Sequence, residues 1–297
     1  MTTTHRVALL IHGGAGVMPG HDYSVPAEFM HDILPNAGLR LRSGDSALDL
    51  VTDMVAAMEA SGLFVAGKGS CANQNNEVEL DASVMTGHDL QAGAICAARD
   101  ILHPVQLARA VMEHSPHAFL AGQGAEAFAD LQGLERVDNP AVYYRSATEL
   151  TGGESADEAQ GSLSHGTVGA VALDLSGNLA AATSTGGTLN KPPGRVGDTP
   201  VIGAGTWADH RVAVSCTGQG EFFLRQAAAH DVAARMAYQG VDVDTAAKAV
   251  IAAIGALGGD GGLIAVDNSG RISMPFNSGG MKRGYVGPEG EPVVEVY

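Results

Sequence analysis

The sequence predicts an α/β layered sandwich, and three observations carry that expectation. Short apolar runs of strand character alternate in blocks with longer segments of helical periodicity. Two segments, 168–185 and 262–273, read as strand, Asp-x-Ser-Gly turn and strand. The chain of 297 residues is 45% hydrophobic yet only 5% aromatic, with 40 glycines. That composition makes a large core from small side chains, with tight backbone approach and many turns.

Val7-Ala8-Leu9-Leu10-Ile11 reads as a buried strand running into the glycine turn His12-Gly13-Gly14-Ala15-Gly16. A helix is expected over about 26–42. The next begins near Ser43-Gly44-Asp45, with the apolar stripe Ala47, Leu48, Val51, Met54, Val55 and Met58. A Gly/Asn-rich loop spans 61–77, strands 78–85 and 91–98, and helices 104–115 and 122–131. From about 142 to 165 the chain turns polar and reads as an exposed linker. Strands 168–173 and 179–185 follow, apolar enough to be buried on both faces. Helices 221–238 and 244–257 then precede the second hairpin. The two hairpins are either related halves of one sheet system or the same turn chemistry reached twice. A single domain over 1–297 is expected.

The formal net charge of −16 argues against a nucleic-acid partner and against an anionic membrane surface. It would suit a neutral or cationic ligand, but the more ordinary reading is a surface charged for solubility. Cys71, Cys96 and Cys216 show neither a CxxC pair nor a Cys/His ligand set. No apolar stretch reaches signal-peptide or membrane-span length, so a cytoplasmic location is expected.

The chemistry centres on Thr167 in His165-Gly166-Thr167-Val168-Gly169. A threonine hydroxyl is a poor nucleophile without a base. Its own α-amino group, freed by cutting Gly166–Thr167, is a base of pKa about 8 that needs no other residue. A glycine before the threonine leaves the scissile carbonyl unshielded, and the polar linker upstream can release a cut end. Taken alone, a threonine opening a buried strand is ordinary. Arg195 and Asp198, in Gly194-Arg195-Val196-Gly197-Asp198, are the second element. A guanidinium fork binds a carboxylate and an aspartate accepts from an ammonium, so together they suit an α-amino acid head. Thr217-Gly218-Gln219-Gly220 is the third: a glycine turn whose N–H groups, with the Thr217 hydroxyl, can hold an oxyanion.

With these motifs in place, the chain resembles the plant-type L-asparaginase and isoaspartyl aminopeptidase family of N-terminal-nucleophile hydrolases. The resemblance runs from Ile11–Gly16 through Glu79–Ala82, His114–His117, Gly166–Leu175, Thr183–Gly187, Gly194–Asp198 and Ser215–Glu221 to Gly259–Ile264 and Pro275–Asn277. It implies an αββα four-layer sandwich, cut into 1–166 and 167–297 and assembled as a homodimer of cleaved αβ units. It implies that Thr167 is the nucleophile, that Thr185 supports its hydroxyl, and that Thr217 and Gly218 form the oxyanion hole. Arg195 would hold the substrate α-carboxylate, and Asp198 the α-ammonium with help from Gly220. The substrates implied are β-aspartyl dipeptides and L-asparagine. No cofactor is implied for catalysis, but a structural sodium ion is, held by backbone carbonyls of Met58, Glu59, Ser61, Phe64, Ala66 and Lys68. The family's usual Leu-Phe-Asn-Ala-Gly-x-Gly reads Leu63-Phe64-Val65-Ala66-Gly67-Lys68-Gly69 here. Val65 and Lys68 either mark a changed leaving-group side, favouring dipeptides over asparagine, or Val65 merely fills an apolar gap under the sodium loop. A glycosylasparaginase-like amidase is the sister reading. An uncleaved relative that only binds aspartyl ligands is the non-enzymatic one.

Overall fold

A computed structural model describes residues 7–145 and 166–297. Residues 146–165 of the expected linker lie outside the described residues. The elements in chain order are β1 (Ala8–His12), α1 (Ser24–Ser43), α2 (Ala47–Ser61), β2 (Leu80–Thr86), β3 (Ala92–Ala98), α3 (Pro104–His114), β4 (Phe119–Ala121), α4 (Gly122–Leu131) and a short α5 (Pro140–Tyr143). Beyond the linker come β5 (Val168–Leu173), β6 (Leu179–Thr185), β7 (Thr206–Ala208), β8 (Val212–Gly218), α6 (Gly220–Gln226), α7 (Ala228–Gln239), α8 (Val243–Ala256), β9 (Gly261–Asp267), β10 (Ile272–Ser273), β11 (Arg283–Val286) and β12 (Pro292–Glu295).

The strands form an eight-stranded sheet, β12-β11-β1-β5-β6-β2-β3-β4, and a four-stranded sheet, β10-β9-β8-β7. Every strand pair is antiparallel except β3–β4. The inner faces meet through Leu10, Val171, Ala181, Ala213, Ile264 and Val266. Aliphatic side chains and alanines fill this seam, and Trp207, Phe276 and Tyr285 pack against it. The outer face of the large sheet packs on α1–α4 through residues such as Leu34, Val51, Val55 and Val111. The outer face of the small sheet packs on α6–α8 through Phe223, Val232, Val250 and Ile254. The result is the αββα sandwich. Among the described residues no helix is long and apolar enough to cross a membrane.

The two hairpins lie in different sheets, β5–β6 in the large one and β9–β10 in the small one. Strand β5 is held by β1 on one side and β6 on the other. The large sheet thus interleaves strands from both sides of the Gly166–Thr167 bond, and cutting that bond removes no ladder hydrogen bond.

The single helix expected over 221–238 is two. Ala227 adopts a left-handed conformation, φ 49°, and the chain turns between α6 and α7. The loop before β7 accounts for the break. Its carbonyls at Ala204 and Gly203 accept the N–H groups of Ala229 and His230 at 3.0 and 2.8 Å, satisfying donors that a helix start leaves without partners.

Candidate active site

Thr167 stands at the entry of β5 with only 7% of its surface exposed. Its neighbour in the sheet is the end of β6, where Val168 pairs with Ser184 and Thr185 follows. The Thr185 hydroxyl donates to the Gly166 carbonyl at 2.8 Å and accepts from the Gly187 N–H at 3.1 Å. It therefore polarises the carbonyl of the bond preceding Thr167, a contact the sequence reading did not assign to it. Gly166 is needed for space: a Cβ there would collide with the Val65 side chain. The Val65 carbonyl accepts from the Gly186 N–H at 2.9 Å, tying this loop to the end of β6.

A polar cleft opens beside Thr167. Gly166, Thr167, Thr185, Arg195, Asp198, Gly218 and Gly220 all line it, so most of the residues singled out in the sequence come together. Thr188 and Thr199 also line it and were not singled out. Thr217 is not among the lining residues. It is fully buried, one residue from Gly218, and its Oγ1 accepts the Ala15 N–H at 3.3 Å. That bond ties the glycine turn after β1 to the end of β8 and leaves the Thr217 O–H able to donate. Gly218, at φ 152°, has no room for a side chain between the Asp260 carbonyl and the Phe223 ring. At Gly220 a Cβ would sit 2.9 Å from Asp198 Oδ1, so glycine lets this wall come up against the carboxylate.

Arg195 and Asp198 are not an ion pair with each other. Glu221 Oε1 accepts from Arg195 Nε at 2.9 Å and lies 2.8 Å from its Nη2. Asp198 is 4% exposed, and burial pushes its carboxyl up to about 7, against the opposing charge of Arg195. Its Oδ2 has no hydrogen-bond partner among the described residues. A buried carboxylate oxygen left open beside a guanidinium is a seat for a ligand that brings its own cation and anion.

Comparison with known proteins places the chain in a family. The asparaginase family matches residues 5–295. The chain belongs to that family. It is 46% identical over 302 residues to an isoaspartyl peptidase of Salmonella typhimurium, covering 95% of this chain and 96% of that protein. It is 45% identical to the isoaspartyl peptidase of Escherichia coli, with 95% and 94% covered. To a probable isoaspartyl peptidase/L-asparaginase 2 of Arabidopsis thaliana it is 37% identical, with 98% of each chain covered.

Beneath the site of this asparaginase-family chain runs a buried hydroxyl network joining the two sheets. His12 Nε2 is 2.9 Å from Ser215 Oγ, which is 2.7 Å from Thr183 Oγ1. Thr206 donates to Thr183 at 2.6 Å, and the single Ser83 hydroxyl proton has two acceptors in reach, Thr206 Oγ1 at 2.7 Å and the Thr199 carbonyl at 2.6 Å. Burial lowers the His12 pKa to about 3, so its ring is neutral. A Cβ at position 169 would collide with both Ser215 Oγ and His12 Nε2, so Gly169 gives this network its room.

The loop expected to hold sodium follows α2 and contains the 3₁₀ turn Gly67–Gly69. Its carbonyls converge on two glycines. A Cβ at Gly67 would lie 2.7 Å from the Glu59 carbonyl oxygen, and one at Gly69 would run into the Phe64 oxygen and lie 2.7 Å from that of Gly62. The Phe64, Ala66 and Lys68 carbonyls accept from Ala66 N, Gly69 N and Arg145 N, and the Met58 carbonyl accepts from Ser61 Oγ; each carbonyl oxygen carries two lone pairs. Among the described residues no group of three His, Cys, Asp or Glu side chains is placed to hold a metal. A hard cation seated here would rest on carbonyl oxygens, which fits an alkali ion. The Val65 side chain belongs to the same loop but packs on Cys71 and Leu189 and is not among the residues lining the cleft.

Proposed function

We propose that this protein hydrolyses β-aspartyl (isoaspartyl) dipeptides, with L-asparagine as a lesser substrate, through a threonine nucleophile that it frees by self-cleavage. The observation that carries the reading is the one cleft that Thr167, Arg195 and Asp198 line together, with Asp198 Oδ2 lacking a hydrogen-bond partner among the described residues. The isoaspartyl peptidases of two bacteria, similar over nearly their whole length, support it.

In the first reaction Thr167 Oγ attacks the Gly166 carbonyl, polarised by Thr185, and the peptide nitrogen leaves to become the Thr167 amine. Water then hydrolyses the resulting ester, giving a Gly166 carboxylate and a free Thr167 N-terminus. In the second, that amine takes the Thr167 hydroxyl proton as Oγ attacks the substrate β-carbonyl. Arg195 holds the α-carboxylate and Asp198 the α-ammonium. The Gly218 N–H, with the O–H of the adjacent buried Thr217, would hold the developing oxyanion. The amine passes its proton to the departing nitrogen, and water releases L-aspartate from the acyl-enzyme. Sodium in the 58–68 loop would stiffen the backbone beneath Val65 and Gly166. A homodimer of cleaved αβ units working in the cytoplasm completes the proposal.

The test is a denaturing gel alongside a kinetic panel. Two fragments split at Thr167 and turnover of β-aspartyl-leucine are expected. A single intact band with no turnover would leave a binding protein instead.

A further inference from the structure

We propose that Lys191 is a positioning residue for Arg195: its buried ammonium, paired with Glu79, sets the guanidinium where it reads the substrate α-carboxylate. This rests on the assignment of Arg195 made above and adds what holds it.

The Lys191 side chain is fully enclosed, with Nζ 3.3 Å from Glu79 Oε2. It donates to the Arg195 carbonyl at 3.0 Å. Glu79 grips the same loop from the other side, since both of its oxygens accept the Gly194 N–H, at 2.9 and 3.1 Å. The residues flanking the Gly194–Arg195 peptide bond are thus fastened by one buried ion pair. Glu79 lies immediately before β2, and β2 pairs directly with β6, where Asp81 stands opposite Thr185. The pair therefore references the Arg195 loop to the strand that ends beside Thr167. A third contact closes the arrangement. Gly187 lines the cleft at φ 78°, and its absent Cβ would lie 2.8–3.1 Å from Lys191 Cδ, Cε and Nζ. The lysine stem is the floor under that wall.

The surrounding charges agree with a structural rather than a reactive lysine. Burial raises Glu79, but the Gly194 N–H, Asn73 and Lys191 together hold its carboxyl below the ordinary range. Asp81, fully buried nearby, is raised by burial to about 6 against the opposing Lys191 charge. A hydrophobic pair could fill this volume at little cost in stability. A buried charge pair instead fixes one geometry. Displacing a substrate-orienting group by about 1 Å is enough to cost roughly 10²-fold in rate.

The test compares binding of L-aspartate and its α-carboxamide, isoasparagine, which differ only in the group that Arg195 reads. Calorimetry on wild type is expected to show a clear preference for L-aspartate. Lys191→Met should cut that preference by at least about tenfold, and with β-aspartyl-leucine KM should rise more than kcat falls. If Lys191→Met does not fold, the double variant Glu79→Gln/Lys191→Met removes both buried charges and carries the same measurement. A folded variant that keeps the full preference, with both ligands weakened equally or not at all, overturns the proposal alone. A wild type that binds both ligands equally overturns the assignment of Arg195 and this proposal with it.

Discussion

Glu221 Oε1 sits between Nε and Nη2 of Arg195, so the guanidinium meets the cleft already paired along one edge. The Glu221 side chain is 59% exposed, and such a pair adds little to stability, about 1 kcal/mol or less. The effect expected of it is directional: with one edge held by Glu221, the other N–H groups are left for the α-carboxylate that Arg195 is proposed to read. Glu221→Gln should lower kcat/KM by about three- to tenfold and leave the melting temperature essentially unchanged. Tighter substrate binding in that variant would show instead that Glu221 competes with the substrate for Arg195.

Replacing the fork itself is a harsher test. Arg195→Lys keeps the charge and loses bidentate geometry, so kcat/KM should fall roughly 10²-fold or more, equivalent to about 3 kcal/mol. Near-normal kinetics would remove Arg195 from the site.

Self-cleavage should depend on two hydroxyls in different ways. Thr167→Ala removes the attacking atom and should leave one intact chain without hydrolase activity. Thr185→Val removes the donor to the Gly166 carbonyl, seen at 2.8 Å. Cleavage should then slow by roughly 10²-fold, the effect of deleting one oxyanion donor. Band intensities over time on a denaturing gel measure both. Splitting of the Thr167→Ala chain at the same bond would mean that the cut is not intramolecular.

With Asp198 proposed to hold the substrate ammonium, substrate binding should depend on pH. Its folded pKa is raised to about 7, from an ordinary 3.8. Below about 7 the carboxyl is increasingly protonated and cannot pair with an ammonium. The affinity for L-aspartate should therefore fall towards tenfold per pH unit below that point. The sign for folding is the reverse of a salt-bridged aspartate. Between the two pKa values the folded state holds the proton that the unfolded state has released, so Asp198 makes folding less favourable as pH rises from about 4 to 7. Asp198→Asn should accordingly raise the melting temperature at pH 8 while abolishing the pH dependence of aspartate binding. A lower melting temperature there would mean that the carboxylate has a partner in solution.

The sequence was legible where local chemistry and tertiary role coincide. Val168–Leu173 and Leu179–Thr185 are apolar and punctuated by a Ser-Gly turn, and they are strands with those bounds. Thr167, Arg195 and Asp198 were recognisable because reactive side chains stand in glycine-rich surroundings. Strand β8 was not, since Val212–Gly218 is buried along almost its whole length and shows no alternation. The break at Ala227 was hidden because its cause lies in the Gly203 and Ala204 carbonyls, more than 20 residues away. Lys191 precedes two prolines and reads as a solvent-facing loop residue. Only the fold shows that it is enclosed beside Glu79.

Val65 is where sequence and structure bear differently on one residue. Its departure from the family's asparagine suggests a changed leaving-group side, on which Val65→Asn should raise asparagine hydrolysis relative to dipeptide hydrolysis. The structure places the side chain against Gly166, Cys71 and Leu189, beneath the bond to be cut and off the cleft surface. An amide there would be buried among apolar groups, costing about 1–2 kcal/mol for lack of partners. It would also press on the Gly166 carbonyl that Thr185 holds. From this position Val65→Asn should lower the melting temperature, change the rate of self-cleavage, and scale both hydrolytic activities together. Measuring both activities on fully cleaved enzyme, with the melting temperature and the cleavage time course, separates the two views. An unchanged activity ratio assigns Val65 to the cleavage step, and a ratio shifted toward asparagine returns it to substrate selection.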